Sequence, residues 1–319
     1  MNRFAKCIFV TAAILSLQAP LEVLGALPAS AQTEAPATQT SEPSQAAMSK
    51  INAYVEFLNR SLRASESLQR YDSWVDMKKG PTGKERIIYG LYSLYDVRKE
   101  ADAVTAAAAA EPKMPELDSA MLAYLETYQK LAPVIDRADK YYEREDYKSD
   151  KMEAGKAFHK DIAALAPDYW ERRKAADAAL RKEKVKLDLE TLAALEKEQG
   201  RKARWQVRNV MFRAEAIMDL MPSNEKPVVD MPAYKQALDD YASAVREFDD
   251  YALAHPDSFH VFEDQPGSLL SKLRNFGEKL QKTKGDARKG RAGEDLEWLV
   301  NDYNMMVSTS QTATTFSKE

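Results

Sequence analysis

The chain has 319 residues and a single cysteine, Cys7, near its start. If the leading segment is removed, the working protein has no cysteine. Disulfides, thiolate catalysis, zinc–cysteine sites and iron–sulfur clusters are then excluded. Glycine is scarce, at 11 residues. With abundant Ala, Leu, Glu, Lys and Arg, this favours helices over a turn-rich β protein. No G-x-S-x-G, Walker, dinucleotide-binding or haem-attachment pattern occurs. No stretch after the leader approaches the ~20 apolar residues that cross a bilayer. The charge is nearly balanced, 46 basic against 50 acidic side chains, which makes nucleic acid a poor partner.

What is present begins with an address. Met1–Ala31 reads as a secretory signal peptide, with Arg3 and Lys6 before an apolar Cys7–Leu17 and Ala29-Ser30-Ala31 as the cleavage site before Gln32. The protein is therefore expected in the periplasm. Phe4-Ala5-Lys6-Cys7 lacks the Leu and small residues of a lipoprotein box, so no lipid anchor is expected. Residues 32–47, made of Ala, Thr, Pro, Ser, Gln and Glu, have nothing large to bury and read as a flexible linker.

From 48 to 308 the pattern is that of one all-α domain: an elongated helical bundle with long coiled-coil-like antiparallel helices and no sheet. Residues 309–319 read as a disordered tail. A first helix is expected over Met48–Lys78 with Ile51, Val55, Leu58, Leu62 and Ser65 on one stripe. Thr82 and Glu85 form a T-x-x-E capping box predicted to open a second helix through Ile88, Leu91 and Tyr95. Leu117, Met121, Tyr124, Tyr128, Leu131, Ile135 and Ala138 alternate at spacings of four and three, the stripe of a partnered helix, with Pro133 expected to kink it. Pro167 is predicted to interrupt, and Asp168 with Glu171 to open a long segment to Met221, either one helix or a hairpin at Gly200. Asp230 should cap the next helix, which His255-Pro256 ends. A loop from Phe259 to Gly267 and two shorter helices around the basic stretch 282–293 complete a count of seven to nine.

The centre of the chain, YYEREDYKSDKMEAGKAFH, joins two helices through an aromatic and acidic turn in which Asp150 and Glu153 make a D-x-x-E cap. The Tyr141-Tyr142 pair, Asp146-Tyr147, Asp150-Lys151, Gly155-Lys156 and His159 resemble the central signature of the YiiG-like domain of unknown function, a family of exported bacterial proteins, many of them lipoproteins. Ile51-Asn52-Ala53-Tyr54 and Tyr303-Asn304 resemble the ends of that family, so the similarity runs over 49–308. It implies an all-helical fold and no established activity, and no catalytic residue can be carried over.

Two places could do chemistry. Tyr141, Tyr142, Tyr147, Tyr169 and Trp170 could form a stacking platform, with Asp146 and Asp150 as a carboxylate pair and His159 beside them. Tyrosine also serves as a wedge in helical hairpins, and capping explains Asp150. His255, Asp257, His260 and Glu263 could meet around a metal, but their spacing matches no known ligand motif, and a solvated acidic loop is the simpler reading. The basic run Glu171–Arg213 and the acidic run Asp230–Asp264 either pair with each other or leave the basic helix to face anionic lipid. The loop Lys279–Arg291 is the stronger candidate to face a partner. The expected function is non-enzymatic, with no catalytic, cofactor or metal residue assigned: a periplasmic helical protein that binds an envelope protein or anionic surface component. The alternative is a small-ligand or metal-binding protein or enzyme with its site at the Tyr-rich turn or the His255–Glu263 loop.

Overall fold

The computed structural model describes residues 45–222, 227–290 and 292–314. The expected signal peptide at residues 1–31, the part of the expected linker at 32–44, residues 223–226, Arg291 and 315–319 lie outside the described residues. The fold is all-α. Among the described residues there are nine helices and no strand: α1 Gln45–Asp72, α2 Arg98–Ala109, α3 Pro115–Glu143, α4 Tyr147–Asp150, α5 Glu153–Gln199, α6 Ala203–Met218, α7 Met231–Ala254, α8 Gln265–Lys282 and α9 Ala292–Ser310. The described residues divide into two compact units, before and after the junction of Leu187 and Asp188, and this boundary falls inside α5.

In the first unit α1 begins three residues before the expected start and ends at Asp72. Of the anticipated stripe Ile51, Leu58 and Ser65 are buried and Val55 and Leu62 half-buried, and the inward face is wider than expected, taking in Tyr54, Phe57, Ser61, Ala64, Leu68 and Tyr71. α3 opens on Pro115, whose missing N–H is one the first turn leaves unpaired anyway, and Glu116 and Asp118 complement the positive helix end. Its predicted stripe is buried as read, and the helix continues through Pro133. Pro167, expected to interrupt, does not. α5 runs through it because Ile162, Ala166, Tyr169, Arg173 and Ala176 bury one face, which outweighs the ~3 kcal/mol that an internal proline costs. Asp168 opens no helix and instead pairs with Arg172 at 3.2 Å.

The segment predicted as the second helix is an extended strap. Glu85 does close the box, accepting from the Thr82 hydroxyl at 2.8 Å and from the Gly83 N–H at 2.8 Å, but no helix follows until Arg98. Gly83 sits at φ +77°, and the chain turns to run antiparallel along α1. Tertiary hydrogen bonds replace helical ones. Trp74 donates to the Gly90 carbonyl (2.9 Å), Arg70 to Tyr89 (2.9 Å), Ser67 to Tyr92 (3.1 Å), Arg63 to Ser93 (3.4 Å) and Arg60 to Asp96 (3.3 Å). A local capping signal was overruled by a helix whose side chains satisfy an extended backbone.

In the second unit the chain reverses at Gly200, at φ +77°. Arg208 on α6 reaches back to Asp188 at 2.6 Å, and Trp205 and Phe212 pack with Leu192 and Leu195, so the hairpin is the correct reading of the long segment. Asp230 caps α7 by accepting from the Ala233 N–H at 3.1 Å. Arg201 pairs with Glu247 and Arg213 with Asp240, at 3.1 and 3.9 Å, so parts of the basic and acidic runs do neutralise each other. The expected loop after His255 is shorter than predicted. A 3₁₀ turn at His260–Phe262 puts Phe259 and Phe262 fully inside the core, and α8 starts at Gln265. The basic loop is docked rather than free. Gly285 and Pro227 carbonyls accept from Val229 and Ala287, and Asp286 holds Arg288 and Lys289. α9 extends to Ser310 and Ala313 is buried, so order persists past the expected start of the tail.

Candidate functional site

The aromatic turn is built by three elements of the first unit. The end of α3 supplies Tyr141 and Tyr142, the turn before α5 Met152, the first turns of α5 Phe158 and His159, and the end of α1 Tyr71 and then Trp74. Tyr142 meets Trp74 edge-on at 5.2 Å and Tyr141 at 5.0 Å, and Tyr141 meets Phe158 at 5.6 Å. Such edge contacts suit aromatic quadrupoles. Tyr141 and Tyr142 are buried, and Tyr147 is half-buried. The turn needs left-handed residues at Glu145, Lys151 and Met152, and Asp150 steadies it. Its carboxylate accepts from the Tyr141 hydroxyl (2.8 Å) and the N–H groups of Met152 (2.9 Å) and Ala154 (3.0 Å). Burial pushes the Asp150 carboxyl up, but these donors together bring it below its ordinary value.

His159 is half-buried. Its Nδ1 lies 3.3 Å from the Tyr71 hydroxyl, and its ring fills the space beside Gly80, where a Cβ would come within 2.8 Å. Gly155 is equally constrained, since a Cβ there would stand 2.4 Å from the Met152 sulfur. The hydroxyl of Tyr142 is buried and has no hydrogen-bond partner in the structure. Burial first, then neighbouring tyrosine and acidic groups, raise the phenols of Tyr142 and Tyr141 well above their ordinary value. Phenols in that state are poor proton donors and acceptors near neutral pH.

The other expected members are placed elsewhere. Tyr169 lies in the middle of the first unit, 2.8 Å from the Ser65 hydroxyl and 3.3 Å from Tyr124, with Trp170 packed beside it. Asp146 is held by Arg144 at 2.7 Å, so Asp146 and Asp150 are engaged separately. In the second unit His255 stacks on Tyr251 at 4.1 Å, and Asp257 and His260 are exposed in left-handed conformations. Among the described residues no three His, Cys, Asp or Glu side chains form a group able to hold a metal ion.

Two polar constellations went unpredicted. The buried Lys50 ammonium donates to Asp118 (2.9 Å) and to the carbonyls of Ala110 (3.1 Å) and Pro112 (3.0 Å), while Tyr54 gives Asp118 a 2.6 Å bond. The buried Arg173 donates to Tyr124 (2.8 Å) and to the Leu58 carbonyl (3.2 Å), and Ser61 shares a bond with Tyr124 at 2.8 Å. The available signal was three serines on the inner face of α1.

A family model described as "Protein of unknown function (DUF3829)" matches residues 45–312. The curated protein "Uncharacterized protein YiiG" of Escherichia coli (strain K12) is 27% identical over 201 residues, 62% of this chain and 57% of that protein. The match thus spans less than two thirds of that relative's length. No solved structure matches.

Proposed function

The chain belongs to the DUF3829 family, whose function is unknown, and we propose that it is an exported, non-enzymatic protein of the bacterial envelope that works by binding. The signal peptide is removed after Ala31, Cys7 leaves with it, and the mature protein acts in the periplasm without a lipid anchor. Among the described residues no helix is long and apolar enough to cross a membrane. The partner is an envelope protein or an anionic surface component.

The observation that supports binding over catalysis is the fate of the chemically capable side chains. Tyr141, Tyr142 and Tyr169 are wedged in the core, and Asp150 caps a turn. One specific feature favours a small-ligand reading instead, the Tyr142 hydroxyl that is buried without a partner. The test is native mass spectrometry with metal analysis on protein recovered from the periplasm. A chain beginning at Gln32 with a bare mass, or with a protein partner, is expected. A stoichiometric small adduct or metal would sink the binding reading, and a chain retaining Met1 in the cytosol would sink export.

A further inference from the structure

The strap leaves an unusual surface. The carbonyls of Tyr89, Tyr92, Ser93 and Asp96 accept from α1 side chains, and that of Gly90 accepts from Trp74 just past the end of α1. In a trans peptide the following N–H points opposite to the carbonyl, and the sole cis bond among the described residues is Glu111–Pro112. The N–H groups of Ser93, Leu94 and Val97 therefore point away from α1, and none of them donates within the described residues. Gly90 and Leu91 share this geometry but are buried.

Side chains extend the pattern. Arg63 and Arg70 cover the Tyr92 ring at 4.0 and 4.3 Å, and Arg60 lies 5.3 Å from Tyr95. Tyrosine and guanidinium thus alternate along the strap, and the outer rings of Tyr89 and Tyr95 are 48% and 53% exposed. Each guanidinium has five N–H groups, more than the strap takes up. The acids nearby are already engaged: Glu66 with Arg63, Asp96 with Arg98 and Glu100 with Arg60. Asp139 of α3 also interacts electrostatically with Arg63 and Arg70. The remaining capacity is thus rich in donors without being strongly cationic.

That combination selects a ligand. A polyanion would need uncompensated cations. An extended peptide would bring N–H groups that want the carbonyls α1 has already taken. A sugar chain offers flat apolar ring faces and many acceptor oxygens. We infer that residues 89–97 are a platform for a linear N-acetylated glycan strand of the cell wall, with sugar rings on Tyr89 and Tyr95 and acyl and hydroxyl oxygens accepting from Ser93, Leu94 and the arginines. The identification of the strand rests on the envelope reading above. The platform itself does not.

The experiment is calorimetric titration of the full mature chain with a soluble N-acetylglucosamine hexamer, beside co-sedimentation with isolated peptidoglycan. Binding is expected in both and should survive about 0.5 M salt, where exposed charge attraction is screened. The double variant Tyr89→Ala/Tyr95→Ala should bind about tenfold more weakly, the effect of losing two stacking contacts, with an unchanged melting temperature. Tyr89→Trp/Tyr95→Trp should retain binding. No binding by the wild type, equal binding by the alanine variant, loss of binding in salt, or capture of extended peptides in place of glycan would each overturn the inference. A periplasmic protein that ignores the hexamer removes the platform and leaves export standing. A cytosolic protein that binds the hexamer removes export and leaves the platform.

Discussion

The two units bury helices of similar kind by different means. The first unit is stitched by polar groups: Lys50, Asp118, Ser61, Ser65 and Arg173 are all buried, and each has partners of defined direction. The second is filled by Phe248, Phe259, Phe262 and Phe276, and two of its buried tyrosines bond backbone carbonyls, Tyr234 to Leu273 and Tyr241 to Pro266. Hydrogen-bond networks tolerate one arrangement, whereas apolar packing tolerates swaps of similar volume. The first unit should therefore be the less forgiving of substitution and the more uniquely ordered.

Substitutions can break or sharpen that contrast. Asp118→Ala leaves the Lys50 charge buried without its counterion and should cost about 4 kcal/mol, read from the urea midpoint of unfolding. A loss no larger than that of a single hydroxyl would show the polar stitching to be incidental. Tyr142→Ala should cost about 3 kcal/mol by emptying the wedge, and an unchanged midpoint would mean the ring is free to serve a ligand. Tyr124→Phe removes a hydroxyl shared by Ser61, Tyr169 and Arg173 and should cost about 2 kcal/mol. Tyr241→Phe in the second unit, with one carbonyl partner, should cost about 1 kcal/mol, and equality between the two would erase the difference.

The smallest effect concerns pH. The Asp150 carboxyl of the first unit and the Asp286 carboxyl of the second both lie below their ordinary value of 3.8. For Asp150 burial opposes the shift and the donors of Ala154, Tyr141 and Met152 produce it. For Asp286 the Arg288 guanidinium is the main cause. A depressed carboxyl stabilises the fold fully above its unfolded value, and that contribution disappears as pH falls through the folded value. Melting temperature should therefore fall with acid below about pH 4, and Asp150→Asn should flatten the curve. An unaltered slope in the variant would show that Asp150 carries none of it.

The same contrast explains what could be read in the sequence. Apolar periodicity and caps report on packing and local hydrogen bonds, so Asp230, Gly200, the α3 stripe and the helices after His255 were legible. The buried charges were not, because Lys50 and Arg173 look like solvated positions until their distant partners are known. The Thr82–Glu85 box formed its bonds, yet the next residues found better partners on α1. Tyr89, Tyr92 and Tyr95, with Ile88, Leu91, Leu94 and Val97, repeat every three residues, a period of neither helix nor strand and closer to an extended polyproline-like chain. That signal was present for the strap. For the candidate site, the tyrosines of the turn could be located and their burial anticipated, but the separation of Tyr169 from Tyr142 depends on how far apart α5 carries them.

The strap also bears on how the polypeptide would respond to being cut. Lys84 and Arg86 are exposed just before it, at a site suited to proteolytic nicking. Four α1 side chains, and Trp74 just after the helix, lie on one side of that point and hold the backbone on the other side, and the buried faces of α1 and α3 add to the grip. A trypsin nick there should yield two fragments that elute together and come apart only in denaturant. The protein would then persist as a two-chain assembly, and residues 84–86 mark where it could be split for fragment complementation.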